Sequence, residues 1–251
     1  MQNGIEISKD IFVYNTGYCL NDIKNALPSQ KRKKIEFNSK IIYIKNSKLK
    51  NVLIDTGYSK YINKLNNIKI KIHNLITPIK LNEFDFSKLK PDFIILSHFH
   101  IDHIAGLLNY KDIPIICSKE AYYNCLNAKG IKKLKTGFIK ELLPKDFDKR
   151  VLFIENFKKD KSFCDFDKVY EYEGFKFINL NGHAKGQYGV LYKDLFYVAD
   201  SYWHKNNIIY NIMPSKLTKI VHDDYYEYER TLTKLHKIYK KNKYKMVATH
   251  D

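Results

Sequence analysis

The chain has no apolar stretch approaching the ~20 residues needed to cross a bilayer. Its first residues, Met1-Gln2-Asn3-Gly4-Ile5-Glu6, lack the apolar core of a secretory signal. Cysteine is scarce: Cys19, Cys117, Cys125 and Cys164 are the only four, and no two stand at a C-x-x-C spacing. That spacing excludes the common thiolate metal sites and dithiol redox motifs. The four are expected to be buried small apolar residues in a reduced setting. No repeat, low-complexity tract or linker-like stretch is visible. The expectation is a soluble, cytoplasmic protein forming a single domain over residues 1–251.

Acidic residues are also in deficit. Against 44 Lys and Arg stand 27 Asp and Glu, a formal net charge of +17. A charge of that size invites a polyanion partner. The lysines, however, are spread through the whole chain. The densest basic runs, Lys31-Arg32-Lys33-Lys34 and Lys240-Lys241-Asn242-Lys243, lack the glycine and aromatic interleaving of an RNA-binding strand. A solvated basic surface is favoured, with a nucleic-acid partner kept as the less favoured alternative.

An apolar content of 44% and an aromatic content of 14% describe an ordered chain able to bury a substantial core. Short β-branched and aromatic runs recur from end to end: residues 11–14, 40–44, 52–55, 93–96, 113–116 and 151–154, then 169–173, 175–180, 189–192, 195–199 and 246–248. Helical patterns are predicted over 103–110, 118–127 with Ser118 as N-cap, and 215–242. In the last of these Leu217, Ile220, Val221, Tyr225, Tyr228, Leu232, Leu235 and Ile238 form an apolar stripe at helical spacing. Strands in two halves with helices between them predict an α/β fold, two packed mixed β-sheets with helices outside. The lysine-rich segment 119–168 is a candidate lid.

Chemistry concentrates after the run Phe93-Ile94-Ile95-Leu96. There the chain reads Ser97-His98-Phe99-His100-Ile101-Asp102-His103-Ile104-Ala105-Gly106. His98 and His100, two apart at a strand end, point the same way. Asp102 and His103 follow where the chain turns into a helix, and Gly106 permits close backbone packing. His183, Asp200 and His250 each stand at or just after another strand-like run. Neutral imidazole and carboxylate are ligand types that zinc, iron(II) and manganese accept.

This pattern resembles the metallo-β-lactamase fold superfamily over nearly the whole chain, from Val52-Leu53-Ile54-Asp55-Thr56-Gly57 to His250. The resemblance implies an αββα four-layer sandwich and two divalent ions, zinc first, with iron or manganese also accepted. It implies that His98, His100 and His183 bind one ion, that Asp102, His103 and His250 bind the other, and that Asp200 bridges them. Asp55 matches the family's strand-end aspartate that supports the ligands from behind. Asp200 stands where zinc β-lactamases carry cysteine, and His100 where flavodiiron proteins carry glutamate, so antibiotic hydrolysis and oxygen reduction are disfavoured. The branch containing the N-acyl homoserine lactonases fits better, given the Thr249-His250-Asp251 ending and a tyrosine, Tyr202, soon after Asp200. The implied reaction is hydrolysis of a small lactone, ester or thioester by a hydroxide shared between the metals. Asp102 is the candidate proton relay and Tyr202 the candidate substrate contact. A phosphodiesterase or nuclease on the same metals, or a catalytically idle metal-binding module, are the alternatives. His204, Tyr18 and Cys19 are lesser candidates near the site, while His73, His222 and His236 are read as ordinary helix or loop residues, with lining of the pocket by the His222-Asp223-Asp224 run as the less favoured alternative.

Overall fold

The computed structural model describes residues 4–251, except for the side chains of residues 131, 134 and 135. Fourteen strands are found among the described residues. In chain order they are β1 (Ile5–Ser8), β2 (Ile11–Asp22), β3 (Lys34–Ser47), β4 (Lys50–Ile54), β5 (Ile79–Leu81), β6 (Phe93–Ile95), β7 (Ile115–Cys117) and β8 (Val151–Phe153). Then come β9 (Lys158–Lys159), β10 (Val169–Tyr172), β11 (Phe175–Asn179), β12 (Tyr188–Tyr192), β13 (Leu195–Tyr197) and β14 (Lys245–Val247). One sheet runs β1-β2-β3-β4-β6-β7-β8, with β5 paired to β2, and the other runs β14-β13-β12-β11-β10-β9. Both are mixed: β4, β6, β7 and β8 pair in parallel, as do β13 and β14, while the remaining pairs are antiparallel.

The period-2 pleat explains why these runs became strands with two apolar faces. In β3, Ile42 and Ile44 face the second sheet while Ile41 and Tyr43 face the outer helices. Ile95 of β6 and Ile116 of β7 point inward, and their neighbours Ile94 and Ile115 point outward. The second sheet does the same. Phe175, Phe177, Tyr188, Val190 and Tyr197 meet the first sheet, while Ile178, Leu191 and Phe196 meet the helix Tyr225–Lys240. Three apolar layers between four structural layers follow, the αββα arrangement expected.

Differences from the sequence reading have local causes. Strands β2 and β3 extend well beyond their predicted runs because a long antiparallel pairing from Ile11↔Ile44 to Asp22↔Lys34 recruits polar residues. Strands β1, β5 and β9 were not expected, since each is short and little buried. The helix predicted over 103–110 divides into Ile101–Ile104 and a 3₁₀ turn, Leu107–Asn109. The single helix predicted over 215–242 is also divided. A 3₁₀ turn spans Lys216–Ile220, and the long helix starts only after Asp224, whose carboxylate accepts from the Tyr226 and Glu227 amides. Asp224 competes with the helical pattern by capping. Leu217 and Ile220 are thus 76% and 70% exposed and do not belong to the core stripe.

The candidate lid is largely framework. Phe138, Ile139, Leu142 and Phe147 are core residues, and β8 belongs to the first sheet. The neighbourhood of Gly137 leans on the site, where a Cβ would lie 2.9 Å from the His100 ring. Ser118 caps the helix Lys119–Asn127 as predicted. Among the cysteines Cys117 is buried, Cys19 and Cys125 are half-buried, and Cys164 is exposed, contrary to the expectation for all four.

Candidate metal centre

The candidate ligands sit past the ends of strands, in the turns that follow them or, for Asp102 and His103, in the one-turn helix Ile101–Ile104 after β6. Asp55 follows β4, Ser97 and His98 follow β6, His183 lies in the loop between β11 and β12, Asp200 follows β13, and His250 follows β14. The strands end at a common edge, so the chain brings these side chains together there, as open α/β sheets do at their carboxyl ends. His98, His100, His183 and Asp200 offer donor atoms within 4.8 Å of one another, and Asp102, Asp200 and His250 do the same. Asp200 belongs to both groups. Its Oδ2 lies 3.2 Å from His183 Nε2 and 3.0 Å from His250 Nε2, and its Oδ1 lies 3.2 Å from His103 Nε2. Asp102 Oδ2 closes the second group, 3.5 Å from His103 Nε2 and 3.6 Å from His250 Nε2.

The backbone that carries these residues is held from behind. Gly106 lets the segment pack so closely that a Cβ there would meet the Thr56 carbonyl oxygen at 2.2 Å. The Thr56 hydroxyl donates to the His103 carbonyl and the Ser39 hydroxyl to that of Asp102. Asp55 is fully buried, with φ of 57°, and organises three neighbours through four hydrogen bonds. It accepts from the Ser97 amide at 2.8 Å, and from the Ser97 hydroxyl, the Tyr197 hydroxyl and His103 Nδ1 at 2.7 Å each. The last bond fixes the tautomer that presents His103 Nε2 to the cluster. His250 Nδ1 likewise bonds the Asn38 carbonyl at 2.7 Å, and His98 Nδ1 lies 3.1 Å from the Ser97 hydroxyl.

The electrostatics divide the imidazoles into two kinds. Burial holds His98 well below its ordinary value, reinforced by the His103 and His100 rings, and burial also pulls His100 down to about 3. Both are neutral donors. Burial opposes charge at His250 too, but Asp200 against it outweighs that and lifts it to about 9. At His103 the same contest is won by Asp200, Asp102 and Asp55. Burial would raise Asp200, yet His250, His103 and His183 hold it well below the usual carboxylate range.

The residues fit divalent metal ions. His98 Nε2, His103 Nε2, His183 Nδ1 and Asp200 Oδ1 are buried with no hydrogen-bond partner, a costly condition for four polar atoms in one place. Three of them point into the cluster, and the donors are the nitrogen and oxygen types that zinc, iron(II) and manganese share.

Other candidates land differently. Tyr202 is 1% exposed and packs in the outer core, with burial and then Asp251 raising its phenol. Its side chain belongs to the core cluster that also holds Leu180 and Tyr228, rather than standing open on a rim. His204 caps the helix Lys205–Tyr210, its Nδ1 accepting from the Asn206 amide at 3.0 Å. Tyr18 and Cys19 lie in β2 rather than on a loop. Burial, and then Asp102, push the Cys19 thiol up to about 12, and the Tyr58 hydroxyl bonds it. His73 bonds Thr77 at its own helix end, and His236 Nδ1 bonds the Ile208 carbonyl. The residue underrated in the sequence is His222. It is 1% exposed, its ring 5.4 Å from that of His183. Ser97, Tyr197 and Thr56, which hold the ligands in place, were also missed, because a serine, tyrosine or threonine carries no signal of its partner in sequence.

Residues 36–150 match the metallo-beta-lactamase superfamily. The sequence has no significant match among curated proteins. Among solved structures, a variant of AiiA from B. thuringiensis with N-decanoyl-L-homoserine bound at its active site is similar, with a TM-score of 0.72 and 17% identity over 96% of this chain and 92% of that one. AidC, a dizinc quorum-quenching lactonase in complex with a product, N-hexanoyl-L-homoserine, gives a TM-score of 0.67 and 20% identity over 99% and 90%. A hydrolase of the beta lactamase superfamily, AbOPH, gives 0.64 and 15% over 100% and 91%. At such identities the likeness speaks for the fold. The fold, the match of residues 36–150 to the metallo-beta-lactamase superfamily and the His/Asp cluster at the strand ends agree with one another, and together they support a metal-dependent hydrolase.

Proposed function

We propose that the protein is a dinuclear hydrolase of small lactones, esters or thioesters. The observation that carries this reading is the pair of donor groups sharing Asp200. In it His98, His100 and His183 hold one ion, Asp102, His103 and His250 hold the other, and Asp200 serves both. Two divalent ions bound there, zinc first and iron or manganese next, supply Lewis acidity and a nucleophile at neutral pH.

The chain's own contribution is positioning and charge. Asp55 locks His103, and the Asn38 carbonyl locks His250, so neither imidazole can rotate away. Asp200, kept anionic by three imidazoles, offsets the cations. Asp102 is the more open of the two carboxylates, its side chain 10% exposed against 2% for Asp200. It is the group placed to take a proton at Oδ2 and return it to the leaving atom. Lactones, esters and thioesters suit such a site because their leaving groups need little acid assistance. The acyl-homoserine ligands of the AiiA variant and AidC make lactones the first class to test.

The test is metal analysis followed by a substrate panel of lactones, esters, thioesters and bis-p-nitrophenyl phosphate. Lactone, ester or thioester turnover, lost in His98→Ala and Asp200→Ala, is the expected result. Phosphodiester cleavage alone, with salt-sensitive RNA binding, would replace it with the nuclease reading that the +17 charge favours. Two bound metals with no turnover would leave a metal-binding module.

A further inference from the structure

The imidazoles of the cluster differ in how their second nitrogen is held. His103 Nδ1 has Asp55, His250 Nδ1 has the Asn38 carbonyl, and His98 Nδ1 has the Ser97 hydroxyl. His183 uses Nε2 toward Asp200 and His100, and its buried Nδ1 has no partner in the protein. A metal-binding histidine nearly always donates that second N–H to an acceptor, which sets its tautomer and orientation.

Against His183 stands His222. Both of its ring nitrogens are buried and also lack a partner. Its ring is clamped between Trp203, stacked at 5.0 Å and 16°, and Tyr228, at 4.2 Å and 41°, and meets the His183 ring edge-on at 5.4 Å. Trp203 Nε1 and the Tyr228 hydroxyl are buried and unpartnered as well. The backbone ties the two histidines together: the Asp223 amide donates to the His183 carbonyl and the Asp224 amide to that of Gly182, both at 3.0 Å. Gly182, with φ of 122°, makes this approach feasible, since a Cβ there would lie 2.2 Å from the Tyr228 nitrogen.

We infer that His222 is the positioning residue for His183, accepting its Nδ1–H through one bridging water. Five buried polar atoms without a partner, His183 Nδ1, both His222 nitrogens, Trp203 Nε1 and the Tyr228 hydroxyl, are what such a buried water requires. Trp203 Nε1–H donates to the same water, and His183 is thereby fixed as the Nδ1–H tautomer with Nε2 bare. His183 Nε2 lies 2.9 Å from His100 Nδ1 and 3.2 Å from Asp200 Oδ2. This rests on the dinuclear reading above for its consequence but not for its geometry.

Two measurements test it. In ¹⁵N-histidine NMR of the metal-free protein, His183 is expected to carry its proton on Nδ1 and His222 to show one hydrogen-bonded nitrogen acceptor. A proton on His183 Nε2 overturns the inference whether or not metal binds. Zinc affinity by chelator competition is then compared for the wild type, His222→Phe and His222→Gln. Phenylalanine keeps the stack on Trp203, the only tryptophan, whose emission reports an intact clamp. It is expected to weaken zinc binding roughly 10–100-fold, and glutamine to recover most of it. Wild-type affinity in His222→Phe, with Trp203 emission unchanged, overturns the inference and leaves the hydrolase reading standing. Absence of zinc uptake by the wild type would remove the hydrolase reading, and the NMR result would still decide the role of His222. If the phenylalanine variant does not fold, the NMR result and the glutamine variant carry the decision.

Discussion

A single buried carboxylate shows how much of this site depends on residues that do no chemistry. Asp55 accepts four hydrogen bonds at zero exposure. Its removal leaves several buried donors unpaired, each costing about 1–3 kcal/mol. Asp55→Ala is therefore expected to lower stability by at least about 3 kcal/mol in urea denaturation. It is also expected to weaken metal binding by freeing His103. At His250 the pH dependence has a defined sign. Its value of about 9 lies above the ~6.5 of an unfolded histidine. Stability from this group is fully present below pH ~6.5 and is lost as pH rises through about 9, so in that window the metal-free protein weakens. Metal uptake near pH 7.5 accordingly releases protons, which calorimetry in buffers of different ionisation enthalpy will read. Among the thiols, burial lifts Cys19 and Cys125 to about 12 and also pushes Cys117 well above its ordinary value. A thiol reagent at pH 8 is expected to label exposed Cys164 rapidly and the other three slowly, which mass spectrometry of labelled peptides checks.

At the scale of elements, turns and caps decide where the ligands point. Asp224 starts the long helix by accepting from two amides, and its own amide holds Gly182 beside the site. Asp224→Ala is expected to cost about 1 kcal/mol in thermal or urea unfolding. Gly182 is a stricter requirement. An alanine there combines a φ of 122° with a Cβ 2.2 Å from the Tyr228 nitrogen, so the loop and the helix must separate. Gly182→Ala is expected to reduce zinc affinity through His183 even where the fold survives, as chelator competition would show. Short helices and turns near the site depend on such contacts more than on propensity. That is why the pattern over 215–242 misled: an apolar stripe at helical spacing cannot reveal that Asp224 interrupts it.

Over the whole molecule, the two sheets share one inner layer. Ile42, Ile54 and Ile95 from the first half of the chain pack with Phe177, Val190 and Tyr197 from the second. We expect one cooperative thermal transition, raised by zinc and lowered again by chelation, since a ligand bound only by the folded state stabilises it by mass action. Two transitions would instead assign the sheets to separate units. No helix among the described residues is long and apolar enough to cross a membrane.

From the sequence alone, the periodic strand runs, the H-x-H-x-D-H segment and the later His183, Asp200 and His250 were legible. Hydrophobic alternation and ligand type are local properties, written in consecutive residues. The two-sheet architecture followed from them. The convergence of β4, β6, β11, β13 and β14 on one edge was only implied, and it took the folded chain to bring Asp200 within 3.2 Å of both His103 and His183. The inward burial of Tyr202, the capping by His204, the four bonds to Asp55 and the pairing of His222 with His183 were illegible for a common reason. Each depends on what a side chain meets across a long chain separation, and a residue's type does not encode the identity of that neighbour.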